Sequence, residues 1–244
     1  MDVDKEVEFF DRFAAQHQDY DVLGEGAYRR LLALFTSFAR PKPGERCIDL
    51  GCGTGAFTQR LRPFGLELWG MDISPASIER ANATAQGERY LVGDIRHTGQ
   101  GAGSFDIVVL SGVLHHLLTR DIRREVLGES ARILRAGGRV FSFDPSAHSP
   151  SMRLYRDPSS PLYSSKGKTE NEILIDRREL AQDLRDAGFG AVGVRGAAGI
   201  TYAYVEGRVA RLVLPLYNVY ERALRHSPFE DRWGTFLIGH GVRP

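Results

Sequence analysis

The chain has 244 residues, 42% of them hydrophobic, which suits one large α/β domain with additions. Its 32 basic residues balance 31 acidic ones, so no bulk field draws it to nucleic acid or to an anionic membrane, and only a local patch could do so. No run approaches the roughly 18 apolar residues of a spanning helix. The start, Met1 to Asp11, is acidic and unlike a signal peptide, and Cys47 and Cys52 flank one tight turn instead of framing a disulfide. The expectation is a protein of the reduced cytoplasm.

Residues 1–40 carry two helical patterns, Val7, Phe10, Phe13 and Ala14, then Tyr28, Leu31, Leu32, Leu34 and Phe35. A polar hinge, His17 to Asp21, lies between them, so the pair is expected to form an N-terminal helical cap lying across the crevice described below. Pro41, Pro43 and Gly44 end the cap and open a second unit, residues 41–244. Glu45 to Leu50 reads as the first strand. Glycines then stand at alternate positions, Gly51, Gly53 and Gly55, and bare backbone of this kind admits a nucleotide-like ligand closely. Leu66 to Met71 is a second strand, followed by Ser74 as a helix cap with Pro75 in first position. Tyr90 to Val92 is a third strand, and Phe105 to Leu110, continuously apolar, is a fourth covered on both faces.

A helix from about Asp121 to Arg135 stops at Gly137 and Gly138, and Arg139 to Phe143 is a fifth strand. Asp176 to Glu179 reads as a capping box. Strands around Ala191 to Val194 and Thr235 to Ile238 complete the pattern. Two segments interrupt it. Residues 145–172 hold four prolines and no sustained period, and residues 205–232 contain an amphipathic helix that Pro215 is expected to break. Both insertions follow strands on the side where open α/β sheets bind ligands.

The stretch Asp49-Leu50-Gly51-Cys52-Gly53-Thr54-Gly55 differs from the dinucleotide fingerprint, because its third glycine comes one residue early. It resembles the first motif of class I S-adenosylmethionine-dependent methyltransferases of the small-molecule, methyltransferase 11/12-like type. The resemblance implies a Rossmann-like, doubly wound, mostly parallel sheet of seven strands with the last antiparallel, and S-adenosylmethionine as cofactor. Gly51, Cys52, Gly53 and Gly55 would pack on its amino-acid and ribose portions, with Asp49 orienting the loop. Asp72, 23 residues after Asp49, sits where an acid meets ribose hydroxyls, with Ile73 beside it. Asp94 and Ile95 match the third motif, where the acid receives the adenine amino group and the apolar neighbour packs on the ring. Main chain at Ser111 would pass the methionine moiety, and Tyr20 in the cap is a candidate neighbour of the sulfonium.

Methyl transfer needs a base only where the nucleophile holds a proton, and His115 and His116, just after the fourth strand, have the right titration range. His148, Tyr155, Tyr163 and Tyr202 in the insertions are candidate substrate contacts. No metal is expected, since adjacent histidines do not easily ligate one ion and no metal-ligand spacing is present. The reading is transfer of a methyl group to oxygen or nitrogen of a small metabolite in biosynthesis, without nucleic acid or membrane as partner. Two alternatives stay open: use of the bound cofactor for non-methylation chemistry, and a catalytically silent partner subunit.

Overall fold

A computed structural model describes residues 23–163, 172–203, 205 and 207–244. Seven strands form one sheet in the order β3-β2-β1-β4-β5-β7-β6. β1 (Arg46–Leu50), β2 (Glu67–Asp72), β3 (Arg89–Val92), β4 (Phe105–Ser111) and β5 (Leu134–Pro145) run parallel. β7 (Phe236–Val242) enters between β5 and β6 (Gly190–Ala197), antiparallel to both. The expected architecture therefore stands, including the antiparallel last strand.

Helices cover both faces, which is why the central strands are apolar throughout. Side chains alternate across a strand. In β1 and β4, Cys47, Ile107 and Val109 face one cluster while Ile48, Val108 and Leu110 face the other, all fully buried. α1 (Glu25–Ala39) belongs to the first cluster: Ala27, Leu31 and Phe35 are fully buried, and Phe35 meets the rings of Phe57, Phe64 and Phe141 at centroid distances of 6.3, 5.7 and 5.5 Å. This corrects one expectation. The second cap helix is a sheet-covering core helix, since its buried stripe points at β5 and β7 and not across the crevice. The first cap helix and Tyr20 lie outside the described residues.

Between strands lie α2 (Ala56–Arg60), α3 (Pro75–Ala83) and α4 (Arg120–Ile133). Ser74 and Thr119 cap the last two, their side chains accepting from Ser77 and Ile122 N–H. Two further expectations need correction. The 145–172 insertion is not without regular structure: Ser149 caps α5 (Pro150–Arg156), with Pro150 in the first turn, where its missing N–H costs nothing. Pro215 does not break α7 (Arg208–Leu224); its ring lies on an exposed side, where water can meet the carbonyl it frees. α6 (Arg177–Asp186) starts at Asp176, which accepts from Arg178 and Glu179 N–H as the capping pattern predicts. α8 (Glu230–Trp233) leads into β7. Among the described residues no helix is long and apolar enough to cross a membrane.

Candidate active site

The strand order reverses between β1 and β4, and the crevice outside their carboxyl ends is the natural ligand site of such a sheet. The glycine loop leaves β1 there. Gly51, Gly53 and Gly55 have φ values of 77°, 52° and 81°, in the region that side chains disfavour. A Cβ on Gly51 would lie 2.4 Å from Val113 Cγ2, and one on Gly55 would lie 2.6 Å from Tyr90 Oη. Those two glycines let the turn close on its supports. Gly53 has no atom within 4 Å of the same position, so its backbone is bare.

Acids hold this loop in shape. Asp72 at the end of β2 accepts the Gly53 N–H on Oδ2 at 2.8 Å and the Ser74 N–H on Oδ1 at 3.0 Å. Asp49 is fully buried, accepting the Ser111 hydroxyl at 2.7 Å and the Thr58 hydroxyl at 2.8 Å. It thereby ties β1 to β4 and to α2. Burial pushes its carboxyl up to about 7, against those hydrogen bonds. Asp94 is clamped by Arg96, whose Nε reaches both carboxylate oxygens at 3.0 and 2.9 Å and whose Nη2 reaches Oδ2 at 2.6 Å. Burial works upward on Asp94, but the Arg96 hydrogen bonds and charge hold it below the usual carboxylate range.

On the other side of the crevice β4 passes into a 3₁₀ turn, Leu114–His116. Asp144, fully buried near the end of β5, places Oδ1 3.1 Å from the His115 main-chain N–H and 2.9 Å from its Nδ1. Oδ1 accepts the main-chain N–H, and with the ring proton on Nδ1 it accepts that too, which leaves the Nε2 lone pair free to act. Burial drives the two partners apart in titration. It pushes Asp144 well above the carboxylate range and, with the Arg156 charge, lowers His115 to about 3. The imidazole is therefore neutral at pH 7. His115, Pro145, Arg153, Arg156, Glu172 and Ile173 line a cavity of about 380 Å³.

Residues 48–142 match the family described as "Methyltransferase domain". An uncharacterised methyltransferase of Synechocystis sp. is 29% identical over 171 residues, 70% of this chain and 79% of that protein. These matches support a class I S-adenosylmethionine-dependent methyltransferase. A malonyl-[acyl-carrier protein] O-methyltransferase of Serratia marcescens is 30% identical over 129 residues, 53% of this chain, and the chain spans about half (48%) of its length. A Thermotoga maritima structure described as a "possible histamine N-methyltransferase" shares the fold, with a TM-score of 0.67, 20% identity and coverage of 98% of this chain and 97% of that one.

The loop of this methyltransferase fits its cofactor, S-adenosylmethionine, on chemical grounds: bare backbone at Gly53, adjoining a partly exposed Asp72, suits close approach by a ribose and an amino acid. The remaining predicted residues are distributed unevenly. Cys52 points away into a small cluster with Ile78, Ala81 and Tyr90, and Ile95 belongs to the main core. Ile73 is half-buried beside Asp72. The His116 ring lies against that of His115, tilted by 38° with centroids 4.0 Å apart, and its Nδ1 lies 4.0 Å from Glu172 Oε1. One donor atom each from His115, His116 and Glu172 falls within 4.8 Å of the others, so the tight turn does converge the adjacent histidines. Arg156, 2.7 Å from Glu172, already balances that carboxylate.

Tyr155 and Tyr202 come together, with Tyr217 as an unpredicted third ring, at centroid distances of 5.2 to 6.4 Å. His148 is corrected: it is exposed, with Nε2 3.0 Å from Asp176 Oδ2, and steadies the start of α6 instead of lining the cavity. Tyr163 sits apart from the cavity lining, its carbonyl oxygen 3.3 Å from where a Cβ on Gly207 would be. Asp144 was missed in the sequence, although it ends a strand as Asp49, Asp72 and Asp94 do.

Proposed function

We propose that this methyltransferase transfers a methyl group to an oxygen or nitrogen of a small metabolite, in a biosynthetic, cytoplasmic role and without nucleic acid as partner. The observation that carries the reading is the His115–Asp144 pair, of which His115 lines the 380 Å³ cavity. The loop from Gly51 to Gly55 and Asp72 would hold the cofactor, and Asp49 keeps that loop against β4. When bound, S-adenosylmethionine supplies an electrophilic methyl group on a cationic sulfur, so the protein's main task is orientation.

His115 is the proposed base. Asp144 holds its Nδ1, and Nε2 accepts the hydrogen bond of the acceptor hydroxyl, orients it, and takes its proton as the O–CH3 bond forms, when that oxygen is acidic enough to protonate so weak a base; an amine acceptor is oriented by the same nitrogen. His116 backs the His115 ring and keeps it in place. Tyr155 and Tyr202, which like Tyr163 do not line the cavity, are proposed to support the acceptor side from behind.

Calorimetric titration with S-adenosylmethionine and S-adenosylhomocysteine, with NAD as control, tests the cofactor loop. Mass-spectrometric screening of small hydroxyl and amine acceptors then tests the reaction. The expected result is gain of one methyl, with His115→Ala lowering kcat by roughly 10²–10⁴ on a hydroxyl acceptor. Tight cofactor binding without a methylated product from any acceptor class would move the reading to non-methylation chemistry.

A further inference from the structure

α7 carries an apolar stripe that the fold leaves uncovered. Val209, Leu212, Leu216, Val219 and Tyr220 are 48, 79, 70, 59 and 38% exposed. At 3.6 residues per turn they fall on one face. A second face, bearing Ala210, Tyr217, Glu221 and Leu224, holds the helix to the protein. Arg208, Arg211 and Arg222 run along the outer edge of the stripe, all exposed, with no ion pair to any described residue. The helix has one acid, Glu221, and it is buried, accepting the Thr235 hydroxyl and the Gly199 and Ile200 N–H groups. The outward surface of this 17-residue helix thus combines apolar side chains with positive charge alone.

We propose that α7 is an interfacial helix, which lays its apolar stripe on a bilayer containing anionic lipid and sets Arg208, Arg211 and Arg222 at the level of the headgroups. A net charge of +1 describes the whole surface and conceals this local excess. The helix is not apolar enough to cross a membrane, so the contact is peripheral. Charge also decides against a second copy of the chain as the occupant. Antiparallel pairing across a two-fold axis sets Arg208 and Arg211 beside the other helix's Arg222, and parallel pairing sets each arginine beside itself. Five partly exposed side chains also fall short of the ~800 Å² per partner of a stable dimer. Since the inner face of α7 carries Tyr217 of the tyrosine cluster, the contact puts the acceptor side of the enzyme at the bilayer surface.

Co-sedimentation with vesicles tests this, comparing phosphatidylcholine alone with phosphatidylcholine containing phosphatidylglycerol. The full chain should sediment with the anionic vesicles and remain in solution with the neutral ones. Leu212→Glu with Leu216→Glu should lower partitioning at least about tenfold. Arg208→Gln, Arg211→Gln and Arg222→Gln together should lower it roughly hundredfold. All these residues are exposed, so unchanged S-adenosylmethionine affinity by calorimetry serves as the folding control. Equal sedimentation with both vesicle types, or with neither, overturns the proposal. So does a wild-type dimer that Leu216→Glu converts to monomer without any vesicle binding, because the stripe is then a seam between copies.

Discussion

The two halves of the sheet are built on different physical terms. On the side of β1 to β3 the site is backbone: three glycines in left-handed conformations, and main-chain N–H groups received by Asp72, with the loop also pinned by the Gly51 and Cys52 N–H groups on the Met71 carbonyl at 2.7 and 3.1 Å. On the side of β5 to β7 it is side chains: His115 on Asp144, Glu172 on Arg156, three tyrosine rings and a buried Glu221. Backbone sites tolerate no added atoms, whereas side-chain sites tolerate exchange as long as donors and acceptors still match. The two halves should therefore fail differently when mutated.

The largest expected effect lies in the loop. Gly51→Ala combines a positive φ with a 2.4 Å approach to Val113, and should cost about 2–4 kcal/mol of stability from backbone strain and overpacking together. Gly53→Ala has strain but no clash, so thermal unfolding should move by only ~1 kcal/mol while S-adenosylmethionine affinity falls steeply. Comparable losses of stability in both variants would mean that the open space at Gly53 is not where the cofactor lies. Next is Asp72→Ala, expected to weaken S-adenosylmethionine by roughly 1–3 kcal/mol in calorimetry. Asp72→Asn keeps an acceptor for one main-chain N–H. If it binds as well as wild type, the charge contributes nothing to the ribose contact.

The same contrast explains what the sequence made legible. Asp49, the glycines, Asp72 and Asp94 lie at ends of successive strands within 46 residues, and each is marked by local chemistry: a glycine where only glycine fits, an acid just after an apolar run. Alternating βα segments likewise made the sheet legible, because local hydrophobic period decides it. Pairs such as His115–Asp144, 29 residues apart, and Tyr202–Tyr155 depend on which strands end up adjacent, and no local pattern records that. His148 illustrates the failure. Its residue type and its place in an insertion suggested a substrate contact, and only the docking of α6 reveals that Asp176 takes it. Pro215 shows the same limit for secondary structure, since its tolerance depends on which side of α7 faces water.

On the side-chain half, His115 itself apart, the effects are smaller and rescuable. Asp144→Ala should reduce kcat about tenfold with KM nearly unchanged, because it frees the His115 tautomer without touching the acceptor. Asp144→Asn should recover most of the loss, since burial already favours an uncharged group there and the amide oxygen can accept the same two N–H groups. An Asn variant as poor as Ala would show that the pair works as a charged unit. The neutral state of His115 also has a sign in stability. Its folded value, about 3, lies below the ordinary 6.5, so the stability present above pH 6.5 is lost progressively as pH falls toward 3.

The smallest expected effect is that of Glu221→Gln, and it separates the halves by pH. Burial raises Glu221 to about 7, against the Thr235 hydroxyl and the Ile200 and Gly199 N–H groups. A carboxyl raised in the folded state contributes stability that is complete below its ordinary value of 4.5 and is lost as pH rises through 7. Glutamine can place its oxygen on the two N–H groups and its amide on Thr235, so stability at pH 6 should change by about 1 kcal/mol or less. What changes is the slope: melting temperature between pH 5 and 8 should decline less in Glu221→Gln than in wild type. Asp49, raised to about 7 in the nucleotide half, keeps part of the decline in place. An unchanged slope would assign the whole of it to Asp49 and Asp144, the other buried carboxyls raised by burial, with Glu221 outside the pH sensitivity and α7 held to the sheet by packing alone.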